Sequence, residues 1–547
     1  MANYKKEFKR KQGSGGVWIW LTALSTTFGL IMIAGLLLLI FINGFGIFWP
    51  SNLQQFNLKN GEVYLGEVWE KDAVNSDSKT EEAQRLRLKI ANRDIYGLDF
   101  KWIDESDIES TTEPDSALFL ERMAWGQFYG FAQKLTFNDA TVASGAVQIK
   151  AVLSTYLSEV NLVLDQIHHI EKVEIEDISY KTHALQLQQK RLQIKADLSA
   201  AEELHLAKLS GDLDELQTQF AETESRLITL REEVDQYKLE MLAASGESRI
   251  VRLADVVRWF QPNEMNVFEK TGIYLARLWE FLSDSPREAN MEGGVLPAIF
   301  GTVMMVFIMS LAVVPLGVLA AIYLHEYAKQ GIFVRLLRIA VNNLAGVPSI
   351  VYGIFGLGFF VYIIGGSIDQ LFFSESLPNP TYGTGGILWA SLTLALLTVP
   401  VVIVTAEEGL AAVPSSVREG SLALGATKFE TLWRVILPSA SPSIFTGLIL
   451  AVARAAGEVA PLMVTGVVKL APSLPIDGYF PYIHLERKFM HLGFHIYDVG
   501  FQSPNVEAAL PMVYATTLLL IFIVVTLNLS AVFLRKRLQQ RFAVTNL

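Results

Sequence analysis

Two charges stand where an apolar chain tolerates them least. In the run AVARAAGEVAPLM, Arg454 lies near the middle of a hydrophobic segment and Glu458 follows four residues later. A central Arg in a membrane helix costs at least about 2.5–3.5 kcal/mol on insertion scales, so something must offset it. Spacing of i, i+4 puts both groups on one helix face, where they can pair. An Arg that faces a water-filled path also suits an anion, because its planar fork matches phosphate-like oxygens. A structural ion pair locking two helices is the alternative.

A second constellation runs from Glu419 to Pro438, EGSLALGATKFETLWRVILP. An acid is followed by two small residues, Gly420 and Ser421, then by Gly425, and the stretch ends on Val435, Leu437 and Pro438. Physically this reads as two short amphipathic helices joined at a glycine. Gly425 can take φ > 0 at no steric cost and so close the turn. Leu422, Leu424, Phe429, Leu432 and Ile436 are expected to fill a groove on a partner. Pro438 is expected to stop the second helix before the next apolar run.

Other candidates for chemistry are weaker. No G-x-x-x-x-G-K-[ST] occurs, and GATK at 425–428 is too short to cradle a phosphate, so this chain does not hydrolyse ATP by the P-loop route. His325–Glu326 lacks the second His of a zinc motif, because position 329 is Lys. His484, His491 and His495, with Glu486, have a spacing that could gather them on one helix face as a metal site needs. Interfacial histidines with a bland role are the preferred reading, so no metal ligands and no catalytic residues are assigned. Cys is absent, which removes disulfides and thiolate metal sites. Net charge is −11, with no face that reads as a nucleic-acid patch, so no such partner is expected.

These residues need a membrane bundle to position them. The chain has 547 residues, 51% of them apolar, with the charges concentrated between 44 and 290. Spanning needs about 20 apolar residues. Six segments qualify: 17–42, 295–323, 348–366, 387–405, 443–465 and 510–533. The first lacks a small-x-small cleavage site at its end and reads as a retained anchor. Lys5, Lys6, Lys9, Arg10 and Lys11 precede it, and Arg535, Lys536, Arg537 and Arg541 follow the last, so both termini are expected to be cytoplasmic. The loop 406–442 then falls inside, and the loop 367–386, without Lys or Arg, falls outside.

Three regions follow: 1–43, a basic N-terminus and first anchor; 44–290, an α+β extracytoplasmic domain; and 291–547, an all-α core with five spans. In the domain, Leu86–Ile90 alternates and could pair with Asp99–Ile103 across a turn near Tyr96–Gly97. Residues 150–243 read as helical coiled coil. Leu209, Leu213, Leu216, Phe220, Thr223, Leu227, Leu230, Val234, Tyr237 and Met241 step by four and three. An antiparallel hairpin turning at Ser210–Gly211–Asp212 is the first choice, and one long helix with a register slip the second. A helix over 265–282, with Phe268, Tyr274 and Trp279, is expected to lie along the membrane surface.

The stretch 419–438 resembles the EAA loop of ABC importer permeases. With GGVLPAIFGT (293–302), HEYAKQ (325–330), NNLAGVPSIVYGIFG (342–356) and ARAAGEVAPL (453–462), residues 290–547 resemble the PstA-type permease of the bacterial phosphate ABC importer. The resemblance implies a type I importer transmembrane fold in the bacterial cytoplasmic membrane. Arg454 would line the translocation pathway with Glu458 as partner. Glu419, Gly420, Ser421, Gly425, Leu437 and Pro438 would form the loop that couples to the ATPase. It also implies a homologous, non-identical second permease, two copies of a cytoplasmic ATPase, an extracytoplasmic phosphate-binding protein, lipid around the spans, and no cofactor bound by this chain, ATP being used by the partner. In the family's short members a basic residue ends the fourth span; here that position is Val404. A second basic group is therefore missing or comes from the partner permease. A permease for molybdate or sulfate is the rival within the class. A membrane sensor with a coiled-coil outer domain is the rival outside it, but only short loops would remain inside to carry a signal.

Overall fold

The computed structural model describes residues 2–74, 83–195 and 197–543. Six helices are long and apolar enough to cross a membrane: Trp18–Gly46, Leu296–Tyr327, Ser349–Phe372, Ile387–Ala411, Lys428–Ala455 and Val506–Arg537. They are called the first to sixth span. The first lies within α1 (Ala2–Gly46). Between the first and second spans the chain folds as a separate α+β body.

That inserted body is built from antiparallel sheets. One has the order β4-β3-β2-β1-β5. Its strands are β1 (Gln54–Leu58), β2 (Val63–Val74), β3 (Ala83–Lys89), β4 (Phe100–Asp104) and β5 (Ile108–Thr112). The expected pairing is present, with Leu86 opposite Ile103. A short helix α2 (Arg93–Tyr96) and Gly97 at φ 71 make the turn. The other sheet, β10-β9-β7-β6-β11, carries β8 on β7. It uses β6 (Leu118–Arg122), β7 (Gln127–Phe137), β8 (Ala140–Ser144), β9 (Tyr237–Leu242), β10 (Ser248–Arg252) and β11 (Val256–Phe260). Buried Leu53, Leu65, Phe119, Tyr129 and Phe260 knit the two sheets together.

A helical arm leaves the second sheet. Helix α3 (Ala146–His169) buries Ile149, Leu153, Leu157, Val160 and Ile167 against that sheet. It runs through a π-turn at Ile170–Glu174 into α4 (Ile175–Gln193), and α5 (Ala200–Val234) returns. Arg226 pairs with Glu174 at 3.0 Å and Arg231 with Glu171 at 2.6 Å, which fixes the antiparallel alignment. The turn is not at 210–212. Gly211 lies inside α5, and the reversal comes before Ser199, whose side chain and Glu202 cap each other's backbone N–H groups. The helix also stops short of 243. Tyr237 and Met241, expected on the helical seam, belong to β9 and point into the sheet core. At its far end the arm touches loops that join the spans: Tyr180 stacks on Tyr479 at 4.3 Å, and Arg191 pairs with Glu375.

The chain re-enters the bundle through α6 (Val267–Ser283) and a small ribbon, β12 (Pro286–Arg287) with β13 (Glu292–Gly293). One edge of α6 buries Phe281 beside Phe48, and the other exposes Phe268, Leu275 and Trp279. The second span is α7 (Leu296–Ile322) closed by a π-turn at Tyr323–Tyr327. Amphipathic α8 (Ile332–Leu344) follows. The third span is α9 (Ser349–Phe355), a π-helical run at Gly356–Gly365, and α10 (Gly366–Phe372). The fourth, α11 (Ile387–Ala411), is the most enclosed. It packs on α7 and on α14 (Leu437–Ala455) through small residues. A Cβ at Gly317 would lie 2.6 Å from Val402 Cγ1, and one at Gly447 2.0 Å from Thr405 Oγ1. The sixth span begins α17 (Val506–Ala543), on which α1 leans, with Gly44 against Tyr514.

The fifth span differs from the expected 443–465. It begins at Lys428 and ends at Ala455. The chain then breaks at Ala456–Val459 and resumes as α15 (Ala460–Thr465), with Pro461 in its first turn. Gly457 and Pro461 account for the break, since neither favours a helix interior.

Candidate functional site

The break that follows the fifth span holds the first site. Arg454 is the penultimate residue of α14, and Glu458 lies beyond the helix end. The two are therefore brought together across a helix terminus and not along a continuous helical face, as the spacing had suggested. Arg454 Nε stands 3.7 Å from Glu458 Oε1, with the side chains 33% and 21% exposed. That distance balances charge but is too long for a hydrogen bond, so the guanidinium fork keeps its donors. Tyr352 of α9 lies within electrostatic reach of Arg454, and its hydroxyl donates to Leu344 O at 2.6 Å. A Cβ on Gly353 would come 2.7 Å from Pro461 Cα, so α9 and α15 meet backbone to backbone beside the pair.

Near the end of the fourth span, Val404 lines a cavity of about 390 Å³ together with His325, Arg338, Asn342, Glu407 and Glu408. Arg338 of α8 bonds Glu407 at 2.5 Å there. A basic side chain thus reaches the neighbourhood of Val404 from another helix, already matched by an acid.

The second site is the elbow between the fourth and fifth spans. Its limbs are α12 (Ser415–Ala423) and α13 (Lys428–Thr431). Gly425 joins them at φ +87, with nothing near its missing Cβ. Thr427 and Glu430 form a capping box that starts the second limb. Ser421 Oγ meets Thr431 Oγ1 at 2.9 Å and ties the limbs together. Glu419 and Gly420 are exposed on α12. Leu424 is 91% exposed at the tip, and Leu422, Phe429 and Trp433 are exposed around it. Phe429 stacks on Trp433 at 6.3 Å.

Two expectations about the elbow are corrected. Leu432 and Ile436 do not face outward; both are buried with Val318, Ala406, Leu410 and Ala440. Pro438 does not stop the second helix. A π-turn at Leu432–Ile436 precedes it, Leu437 N–H bonds back to Leu432 O, and the helix continues through Leu437 and Pro438 into the fifth span. The wider turn accommodates a residue that cannot donate and would crowd a regular turn. The inner face of the second limb therefore belongs to the bundle core.

The spacing missed Glu326 and Trp433. Glu326 is 6% exposed at the end of the second span and receives Arg418 of α12 at 2.9 Å. Only its place in HEYAKQ singled it out. Trp433 enlarges the exposed apolar tip that Leu422, Leu424 and Phe429 had suggested.

The histidines do not converge on a metal site. Among the described residues no group of three or more His, Cys, Asp or Glu is placed to hold an ion. His484 lies between Asp477 at 2.9 Å and Glu486 at 3.2 Å, knotting the loop that precedes α16 (Leu492–Tyr497). His491 caps that helix, its Nδ1 accepting the N–H of Phe494 at 3.4 Å. Burial presses His491 down to about 3 and His495 down to about 4, so both imidazoles are neutral near pH 7.

Residues 313–544 match the family described as binding-protein-dependent transport system inner membrane component. The chain is 34% identical over 246 residues to the phosphate transport system permease protein PstA 1 of Mycobacterium tuberculosis, covering 45% of this chain and 72% of that one. It belongs to the PstA-type permease family of ABC importers. A PstA-type protein of Yersinia pestis is 32% identical over 259 residues, covering 47% of this chain and 78% of its own. The probable ABC transporter permease YqgI of Bacillus subtilis is 30% identical over 260 residues, covering 46% and 81%. As a member of this family the chain is a multi-pass inner-membrane permease subunit, and separate subunits carry out ATP hydrolysis. Both candidate sites fall inside the matched segment.

Proposed function

We propose that this PstA-type chain translocates inorganic phosphate, driven by ATP hydrolysed on partner subunits that grip the elbow. The observation that carries this reading is the elbow itself. Leu424, 91% exposed, tips a turn whose first limb follows the fourth span and whose second limb continues into the fifth. A large apolar side chain held out on a stiff support is what a partner's groove can grip and push. Glu419, Gly420, Ser421 and Gly425 shape that elbow; Leu437 and Pro438 lie where its second limb becomes the span and transmit the push. Arg454 then offers its free donors to an oxyanion in the pathway, and Glu458 keeps the empty site near neutrality.

In this arrangement both termini and the elbow face the cytoplasm, and the inserted body faces outside, where a phosphate-binding protein docks. A second, homologous permease completes the pathway, and two ATPase copies sit beneath the pair. The arm, packed through Leu209, Leu213, Leu216 and Leu227, serves as a short two-helix coiled coil reaching across the outer loops. Alternating access follows: ATP closes the ATPase pair, the elbows move, the path opens outward, and resetting releases phosphate inside.

The test is ATP-dependent uptake of labelled phosphate into liposomes containing the chain with its operon partners, with sulfate and molybdate as competitors. Uptake competed by unlabelled phosphate alone supports the assignment. Competition by molybdate or sulfate transfers the substrate to that oxyanion. An assembled complex without uptake contradicts the reading and favours an outer-domain sensor.

A further inference from the structure

The elbow is covalently continuous with the fourth and fifth spans, yet its strongest polar contacts go to neither. They go to the end of the second span. Glu326 Oε1 receives Arg418 Nη2 from the first limb at 2.9 Å and lies 3.0 Å from His325 Nδ1. The backbone oxygen of the same residue accepts Lys428 Nζ from the second limb at 2.7 Å. Lys428 also lies over the Tyr327 ring, 4.9 Å from its centre. One residue of the second span thus holds both limbs. The limbs are joined to each other at Ser421–Thr431, so all three pieces form one closed unit.

We infer that Glu326 is a positioning residue that couples displacement of the elbow to the second span. The inference rests on the reading of the elbow as the ATPase-coupling loop. A buried carboxylate held by a guanidinium resists separation, because opening the pair strands a charge away from water. A push on the elbow therefore moves the end of α7 with it, and three spans respond to one stroke. Without the Glu326 side chain the first limb is released and only Lys428 still holds the elbow to the second span, so the elbow binds its partner but drags that span less. Loss of Glu326 is thus expected to separate ATP hydrolysis from transport and not to abolish either subunit contact or folding.

The chain contains no Cys, so the pair Glu326→Cys/Arg418→Cys supplies its only thiols. The experiment measures labelled phosphate imported per ATP hydrolysed by the full reconstituted complex, before and after bridging the two thiols with a short bifunctional thiosulfonate. The unbridged variant is expected to lose about ten-fold in that ratio, within the range that coupling between sites spans, while the ATPase stays bound. Bridging replaces the ion pair with a covalent tie and is expected to restore the ratio. A wild-type ratio without the bridge, or a low ratio that bridging leaves unchanged, overturns the proposal. Should the double variant fail to assemble, Glu326→Gln carries the same test: its ratio must fall, and an unchanged ratio refutes the clamp. Leu424→Asp probes the elbow reading separately. If it leaves the ATPase bound, that reading fails and the clamp with it. If it releases the ATPase while the unbridged pair couples normally, the clamp alone fails.

Discussion

Replacing Glu292 by Gln should stabilise the protein at alkaline pH and leave it nearly unchanged in acid. Glu292 sits in β13, on the ribbon joining the inserted body to the second span. The residue keeps a partly exposed edge, but its Oε2 is enclosed without a hydrogen-bond partner, so the carboxyl end governs its titration. Burial, then Glu121 and Glu288, push its pKa up to about 8, against the pull of Lys89 and Arg287. The folded pKa lies above the unfolded one, so the folded state holds the proton more tightly. The resulting stability is fully present below about pH 4.5 and is lost as pH rises through about 8. From 4.5 to 8 is 3.5 units, and at about 1.4 kcal/mol per unit the loss is at most about 5 kcal/mol. Gln has no proton to lose and can donate to the neighbouring carboxylates. Thermal unfolding followed by tryptophan fluorescence, from pH 5 to 8.5, reads the difference. A domain of this size shifts about 2–4 °C per kcal/mol, so the curves should diverge by on the order of 10 °C at the alkaline end. Parallel curves for wild type and Glu292→Gln would refute the argument.

Other substitutions probe the remaining parts. Arg454→Ala should cut phosphate uptake about ten- to a hundred-fold, the worth of charge-assisted hydrogen bonds of about 1.5–3 kcal/mol. Arg454→Lys should recover only part of it, because the ammonium lacks the fork; uptake by both, with the ATPase still bound, is the check. Gly425→Val forces a branched side chain to φ +87 and should cost about 1–2 kcal/mol, weakening ATPase affinity about 5- to 30-fold in a pull-down titration. Gly425→Asn should be milder. Removing the arm's far contacts with Tyr180→Ala and Arg191→Ala should free its end, at about 1–2 kcal/mol for a stacked pair and a partly exposed ion pair. Spin labels at Gln188 and Ser374 should then report a broader distance distribution.

Much of the bundle was legible because spanning helices need little beyond length and apolarity. The elbow turn was legible because a positive φ falls naturally to glycine, here Gly425. The arm was read correctly as antiparallel but ended wrongly for a definable reason. Residues 237 and 241 are four apart, which is one face in a helix and also one face in a strand, so the seam ran on into β9. The turn was misplaced because Gly211 costs a helix interior only about 1 kcal/mol, which packing absorbs. The capping pair Ser199–Glu202 was the better signal. Leu432 and Ile436 looked available because the pattern did not tell that their helix runs unbroken into the fifth span. Gly457 and Pro461 marked the break beside Arg454, yet the apolar run around them hid it. HEYAKQ marked Glu326 without showing its role, because its partnership with Lys428 joins residues 102 positions apart.

The most direct measurement uses the absence of Cys from this chain. Arg454→Cys, in the reconstituted complex, is treated with a membrane-impermeant thiol reagent from either side, with and without trapping of the ATP-bound state. Labelling of this chain is read by mass. Access from the elbow side in the resting state, and from the opposite side after trapping, is the predicted result. A position that stays unreactive in both states, or reacts from one side alone regardless of ATP, contradicts a pathway through Arg454.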